Sequence, residues 1–148
     1  MLRRVRILVV TFWAGLLWSV GFVAAPTLFV TLPDRMLAGT VAGSLFHVTA
    51  WLSLACAAVL ALLLWSGMRD ERQTLRPLLW LIMAMAVCTL AGYFGLQPAM
   101  ASLRAVMHAG GTVQAAAALH RFGLLHGVAS FIYVVQSVLA AVLVLKMR

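Results

Sequence analysis

The sequence is poor in charge, and above all in acidic charge. Only 9% of its 148 residues are charged, and three of them are acidic. Soluble domains carry about 25% charged residues. Four long stretches contain no charged residue: Ile7–Pro33, Met36–Met68, Pro77–Leu103 and Phe122–Leu145. This composition excludes an ordinary soluble domain, because so short a chain keeps a large surface and cannot hide that many apolar side chains from water.

Each uncharged stretch is long enough to cross a bilayer, whose hydrocarbon core of about 30 Å needs roughly 20 apolar residues in helical form. We therefore predict an all-α fold, a four-transmembrane-helix bundle, in a single integral membrane domain over residues 1–148. The predicted spans are about 7–25, 45–68, 77–97 and 122–145. The lipid bilayer is the expected partner, and the first span is expected to be retained rather than cleaved as a signal peptide.

Proline sets the expected limits of the spans. Pro26 and Pro98 are expected to end the first and third spans, because proline lacks the amide proton and disfavours helix in the residue before it. Pro77 is expected in the first turn of the third span, a position that favours proline. One helix over Met36–Met68 would reach about 50 Å. The stretch Met36–Ser44 is therefore expected to form a short interfacial or re-entrant helix after the first span.

The connections between the spans differ in length. Arg69–Arg76 is expected to be a short charged loop between the second and third spans. Ala99–Arg121 is expected to run along the membrane surface, with a break at Gly110-Gly111. No internal repeat is evident in the sequence.

Basic residues flank the spans unevenly. Three of the eleven, Arg35, Arg104 and Arg121, lie at one set of span ends, and eight lie at the other. Lys and Arg concentrate in cytoplasmic loops, so we predict a bacterial inner (plasma) membrane protein with both termini cytoplasmic. The net charge of +8 then reflects topology and lipid headgroups, and nucleic acid is not an expected partner. The eight are Arg3, Arg4, Arg6, Arg69, Arg72, Arg76, Lys146 and Arg148.

Carboxylates are missing from every predicted span, since Asp34, Asp70 and Glu71 all fall in loops. Intramembrane acids usually mark proton and cation pathways. Their absence argues against a proton-coupled pump, a cation channel and paired-carboxylate catalysis. The sequence also has no GxSxG, HExxH or phosphate-loop motif. An enzyme is therefore the least favoured class.

Polar side chains collect in the half of the bundle that lies away from the termini. At membrane depth such groups normally face the bundle interior, because lipid cannot satisfy them. We therefore predict a binding site in that half. Its expected members are His47, His126, Tyr93, Gln97, Trp18 and Asp34.

The two histidines in the spans allow three interpretations. Neutral imidazoles of His47 and His126 on facing helices could ligate a haem iron or another transition metal. Each could instead bond a nearby partner, such as Ser44 or Ser130, and lock helix packing. Each could also lie at the interface without a role. The residues alone leave these alternatives open.

Cysteine is scarce, with only Cys56 and Cys88, both near mid-membrane and without a CxxC pattern. Free cysteine commonly packs as a small apolar residue. A soft-metal site that also uses Met83 and Met85 is the alternative, because Cu(I) favours thiolate and thioether ligands.

Several motifs extend over nearly the whole chain. They are Trp13-x-Gly15-x-x-Trp18, Gly21-Phe22, Ala25-Pro26-x-Leu28-Phe29, Leu32-Pro33-Asp34-Arg35, Ala38-Gly39-x-Val41-Ala42-Gly43-x-Leu45-Phe46, Tyr93-Phe94-Gly95-Leu96 and Phe122-Gly123-x-Leu125-His126-Gly127. In these motifs the chain resembles a bacterial inner-membrane family known as domain of unknown function 4149, related to the eukaryotic transmembrane protein 205 group. The resemblance implies a four-helix membrane protein and no established reaction. A link of the eukaryotic relatives to platinum-drug tolerance suggests transport or metal handling.

Three functions follow as hypotheses. The first is binding or transport of a small solute or metal through an outward-facing pocket. The second is a haem-binding redox protein that uses His47 and His126. The third is a structural partner of a larger membrane complex. A homo-oligomer would complete a pathway that four helices alone barely enclose.

Overall fold

The computed structural model describes residues 2–67, 72–108 and 112–147. Nearly all of these residues are helical, apart from the turn at 32–34. Two short segments have the wider π-helical bonding pattern, and we number the α-helices in chain order. The elements are α1 (Leu2–Trp18), the first π segment (Ser19–Ala24), α2 (Ala25–Thr31), α3 (Arg35–Gly67), α4 (Arg72–Leu90), the second π segment (Ala91–Leu96), α5 (Gln97–His108) and α6 (Thr112–Lys146).

The predicted fold class is confirmed. Four helical stretches are long and apolar enough to span a membrane: Leu2–Thr31, Arg35–Ser66, Leu75–Met107 and Ala115–Lys146. The described residues contain no strand. The chain is thus a multi-pass membrane protein. Because four spans alternate in direction, both termini lie at one end of the bundle, which we call proximal, and the opposite end is called distal.

Pro26 and Pro98 do not end the first and third spans, contrary to the prediction. Each is the second residue of an α-helix, and a six-residue π segment precedes that helix. A proline ring clashes with the carbonyl four residues earlier. In the wider turn, the amide of Ala25 bonds the carbonyl of Val20, and the amide of Gln97 bonds the carbonyl of Gly92. Each span therefore passes its proline as a bulged but continuous helix.

The stretch Met36–Ser44 is not the separate short helix that we expected. It forms the first turns of α3, which starts where Asp34 Oδ1 accepts a 2.8 Å hydrogen bond from the Met36 amide. Ala38 and Ala42 are buried, so this part packs on the bundle instead of lying in the interface. The short helix that follows the first span's bulge is α2.

The remaining limits also move outward from those predicted. Helix α4 begins at Arg72, so Pro77 lies inside it rather than in its first turn. Helices α5 and α6 cover most of Ala99–Arg121. This segment therefore lengthens the third and fourth spans and does not form a separate connection along the membrane surface. The expected loop residues Arg69, Asp70 and Glu71 and the expected break at Gly110-Gly111 lie outside the described residues.

A dry core fills the proximal half. The apolar side chains of this core come from all four spans and are almost completely buried, and the ring of Trp13 is among them. At the proximal surface Arg6 donates a 2.6 Å hydrogen bond to the carbonyl of Leu63. Core residues include Trp13, Leu17, Leu60, Leu64, Ile82, Met85, Ala140 and Leu143.

The two halves of the chain repeat one order of elements, which the sequence did not predict. Each half has a long helix, a six-residue π segment, a helix with proline in second position, and a second long helix of 33 or 35 residues. Phe22 and Phe94 stand four residues before Pro26 and Pro98. Helices α1 and α4 each pack on both α3 and α6. This arrangement is that of two equivalent helical hairpins side by side.

Candidate functional site

A cavity of about 880 Å³ occupies the distal half of the bundle. Pockets for small molecules usually measure about 300–1,000 Å³. Side chains from all four spans line the cavity, and both π segments contribute to its wall. The buried core closes it on the proximal side, where Leu17 belongs both to the core and to the cavity lining.

Helix packing explains why the bundle opens distally. In the proximal half each helix packs on two neighbours in a closed ring. In the distal half α2 packs mainly on α3, and α5 packs mainly on α6. The two π segments lie between the closed ring of α1, α3, α4 and α6 and the two distal helix pairs.

The cavity is elongated along the bundle axis. On α3 its lining runs from Arg35 to Ser53, which is about 27 Å at 1.5 Å per residue. On α6 it runs from Phe122 to Gln136, which is about 21 Å. These lengths exceed the half-thickness of a bilayer, so the cavity connects the distal surface with the middle of the membrane.

Three charged residues, Asp34, Arg35 and Arg104, line the cavity at its distal mouth, together with His126. Asp34 Oδ1 caps α3 by accepting the hydrogen bond from the Met36 amide. The guanidinium carbon of Arg104 lies 5.5 Å from the ring centre of Phe122 on α6, a cation–π distance. Arg104 Nη1 would also lie 3.6 Å from a β-carbon on Gly43, so the side chain of Arg104 reaches across the cavity from α5 to α3.

Uncharged polar groups form the floor. Gln136 Nε2 donates a 2.8 Å hydrogen bond to Thr89 Oγ1, and Thr89 donates to the carbonyl of Met85. Ser53 also lines the floor; it is 1% exposed, and its hydroxyl has no hydrogen-bond partner among the described residues. The floor thus offers one hydroxyl and one amide to an occupant.

The wall between mouth and floor is mostly apolar. Its aromatic and aliphatic members include Phe22, Pro26, Phe29, Phe46, Met100 and Ile132. Cys88 also lines this wall, whereas Cys56 packs in the proximal core. Met85 is in the core and Met83 is exposed, so the four residues of the soft-metal alternative do not come together. Among the described residues no group of three His, Cys, Asp or Glu side chains could hold a metal ion.

Tyr133 on α6 fixes the first π segment. Its hydroxyl donates a 2.6 Å hydrogen bond to the carbonyl of Leu17 and lies beside the backbone of Gly21, where a β-carbon would stand 3.0 Å from the hydroxyl oxygen. In an unbroken α-helix the carbonyl of Leu17 would accept a hydrogen bond from the amide of Gly21. The tyrosine hydroxyl is thus inserted into the backbone ladder, a recognised cause of helix bending. A β-carbon at position 21 would overlap the tyrosine ring, so the contact requires glycine.

Residues 8–109 match the profile of the family described as Domain of unknown function (DUF4149). The chain belongs to the DUF4149 family. The matched residues include both π segments and the mouth residues Asp34, Arg35 and Arg104, and they end before α6. Comparison with curated proteins and with solved structures gives no significant match.

Four of the six predicted site residues line the cavity of this DUF4149 protein: Asp34, Tyr93, Gln97 and His126. The other two are engaged elsewhere. Trp18 Nε1 donates a 3.3 Å hydrogen bond to the carbonyl of Ser137. His47 Nδ1 is hydrogen-bonded to the hydroxyl of Tyr93, and the two ring centres are 5.2 Å apart.

The two histidines have different partners. His126 stacks on Phe122, with ring centres 6.0 Å apart and an angle of 7° between the planes. His47 contacts Tyr93 and does not line the cavity. Ser44 donates to the carbonyl of Thr40, and His47 bonds Tyr93, so the alternative in which Ser44 bonds His47 is not observed.

Nine polar residues that line the cavity were not among the predicted site residues. A hydroxyl or amide within an apolar span indicates burial but not depth or partner. Arg104 was assigned to a connecting segment, since the third span was expected to end at Pro98. The nine residues are Arg35, Thr40, Thr49, Ser53, Thr89, Arg104, Ser130, Tyr133 and Gln136.

Proposed function

We propose that this protein binds a small amphipathic solute in the distal cavity and acts as a binding or transport protein of the bacterial inner membrane. One observation carries the proposal: an elongated cavity lined by all four spans, with charged groups at its mouth, apolar walls and a polar floor. Convergent polar groups in an otherwise apolar pocket are typical of a small-molecule site.

The distribution of basic residues supports an outward-facing cavity. Eight of the eleven Lys and Arg residues belong to the proximal end, and cytoplasmic loops are enriched in these residues. Both termini then lie in the cytoplasm, and the distal mouth opens to the opposite side. A solute from outside reaches the cavity without crossing the proximal core.

Transport would require a second state. In the observed state the core around Trp13, Leu60 and Leu143 separates the cavity from the proximal end. Transporters built from repeated halves commonly alternate by moving one half against the other around a central site. The repeated hairpins of this chain support such a movement, and a homo-oligomer would shield the hairpins from lipid during it.

No observation favours the two rival functions. A bis-histidine haem needs two free imidazoles that face one another, whereas His47 bonds Tyr93 and His126 stacks on Phe122. A purified sample with a Soret absorption band would revive the haem hypothesis. A structural role in a larger complex would be supported by a stoichiometric partner in a pull-down from mild detergent.

Binding is tested with a variant that fills the cavity. Gly39 lines the cavity, and a β-carbon there has no neighbour within 4 Å, so Gly39→Leu adds a side chain to open space. Gly127→Leu is the matched control, because Gly127 also has open space and lies in the distal half but does not line the cavity.

The assay is native mass spectrometry of the full chain in mild detergent. The probes are three twelve-carbon amphiphiles, an alcohol, a carboxylate and a quaternary ammonium. We expect one-to-one binding of at least one probe, weakened about tenfold or more by Gly39→Leu and unchanged by Gly127→Leu. Binding of no probe, or binding that both variants leave intact, would overturn the proposal.

A further inference from the structure

Arg104 is a cation that lines the distal part of the cavity. Its side chain is half-buried, and its Nε is buried without a hydrogen-bond partner. Asp34 is the only acidic residue in the described part of the chain, and its Oδ1 caps α3. No ion pair there joins Arg104 to a carboxylate.

A guanidinium in this setting favours an anionic ligand. Arginine stays protonated at all physiological pH values and carries five N–H donors in a planar fork. Taking such a group out of water is costly unless a partner replaces the lost hydrogen bonds. Carboxylate and phosphate match the fork best, because each accepts two parallel hydrogen bonds.

The charge at the mouth points in the same direction. Arg35 and Arg104 both line the cavity there, against the single carboxylate of Asp34. The mouth therefore carries an excess positive charge. Such a mouth attracts an anion and repels a cation.

The wall identifies the rest of the ligand. From Gly43, which the guanidinium of Arg104 approaches, to Ser53 the cavity extends over about 15 Å of α3. Much of this length is lined by aromatic and aliphatic side chains, such as Phe22, Phe29 and Phe46. A hydrocarbon chain buries apolar surface there, whereas a polar or compact ligand would leave the wall unfilled.

We propose that the ligand is an anionic amphiphile whose carboxylate or phosphate headgroup binds Arg104 at the mouth and whose hydrocarbon chain extends along the cavity wall. This inference rests on the proposed function and specifies its ligand class. The headgroup chemistry is shared by a free fatty acid and by an acidic membrane phospholipid.

The test compares headgroups on one chain length. Purified full-length protein in mild nonionic detergent is titrated with dodecanoate, dodecanol and dodecyltrimethylammonium, and the bound fraction is read by native mass spectrometry. We expect dodecanoate to bind at least about tenfold more tightly than dodecanol, as a charge-assisted hydrogen bond predicts. The ammonium should bind most weakly. A short-chain phosphatidylglycerol forms a further arm, which separates a phospholipid source from a free acid.

Two variants assign the preference to Arg104. Arg104→Gln should reduce the dodecanoate-to-dodecanol ratio to near one while dodecanol binding changes less than about twofold, which also reports that the variant folds. Arg121→Gln is the matched control, since Arg121 is exposed at the same end and does not line the cavity. It should leave the ratio unchanged.

The outcomes separate the two proposals. Equal binding of all three headgroups, or a ratio that survives Arg104→Gln, would overturn the anionic ligand but keep the cavity as a binding site. Binding of phosphatidylglycerol without dodecanoate, or the reverse, supports the anionic class and identifies its source. Absence of any binding, or insensitivity to Gly39→Leu, would overturn the proposed function itself.

Discussion

Replacing Gly21 by alanine puts a methyl group into space that the ring of Tyr133 occupies. A β-carbon on Gly21 would lie 2.8 Å from Tyr133 Cζ and 3.0 Å from the hydroxyl oxygen. Both atoms belong to a rigid ring, so the whole ring must move. Its hydroxyl then loses the 2.6 Å hydrogen bond to the carbonyl of Leu17.

Three terms set the size of the effect. Overpacking a filled site costs about 1–3 kcal/mol, and an intramolecular hydrogen bond contributes about 0.5–1.5 kcal/mol. Both losses come from one movement of the ring and therefore overlap. Alanine regains at most about 1 kcal/mol of helix propensity over glycine. We expect Gly21→Ala to lower the free energy of unfolding by about 2 kcal/mol.

Equilibrium unfolding in mixed micelles, followed by circular dichroism, measures this loss. Gly15→Ala is the matched control in α1, because a β-carbon there meets nothing within 4 Å. It should be neutral or slightly stabilising. In a Tyr133→Ala background the ring is absent, and Gly21→Ala should then cost almost nothing. The reasoning is refuted if Gly21→Ala behaves like Gly15→Ala, or if its full cost remains after Tyr133→Ala.

Three further predictions use the same unfolding measurement. Gln136→Leu should lower stability by about 1 kcal/mol, and adding Thr89→Val should cost little more; fully additive losses would contradict their hydrogen bond. Ser53→Ala removes a hydroxyl that has no hydrogen-bond partner among the described residues, so stability should not fall; a loss of about 1 kcal/mol would contradict this. His47→Ala and Tyr93→Phe should be non-additive, since each removes the same bond, and independent effects would contradict that.

The spans could be predicted because lipid, rather than water, is the only stable surrounding for such long apolar segments. Long uncharged apolar runs have no stable place in water, and a helix satisfies every backbone group in lipid. The same fact explains the error at Pro26 and Pro98. A helix that ended within the hydrocarbon layer would leave its last carbonyls without hydrogen-bond partners, which lipid cannot supply. A π segment keeps most of the ladder, so the bilayer outweighs the local rule that proline stops a helix.

The site could be predicted in part for a related reason. Polar side chains at membrane depth turn inward, and Asp34, Tyr93, Gln97 and His126 do line the cavity. The same groups can also satisfy one another, as His47 does with Tyr93. The sequence shows that a polar side chain at membrane depth needs a hydrogen-bond partner, but it does not show which neighbour is that partner. That choice depends on how the helices are rotated and paired.

One turn of α6 holds both bulged spans in place. Tyr133 bonds Leu17 at the start of the first π segment, and Gln136 bonds Thr89 just before the second. Residues three apart share one face of a helix, so this face meets both bulges at a similar depth. The repeat of the two hairpins explains why a single turn can do so.

Binding in the cavity should therefore act on both bulges through α6. His126 lies two to three turns distal to Gln136 on that helix and lines the mouth, while Gln136 lines the floor. A ligand that shifts or rotates α6 must strain the bonds to Leu17 and Thr89 together, because one rigid helix carries both partners. The family match ends at residue 109, so this coupling element lies beyond the matched region. Any effect of a ligand on both bulges would thus pass through a helix that the family profile does not cover.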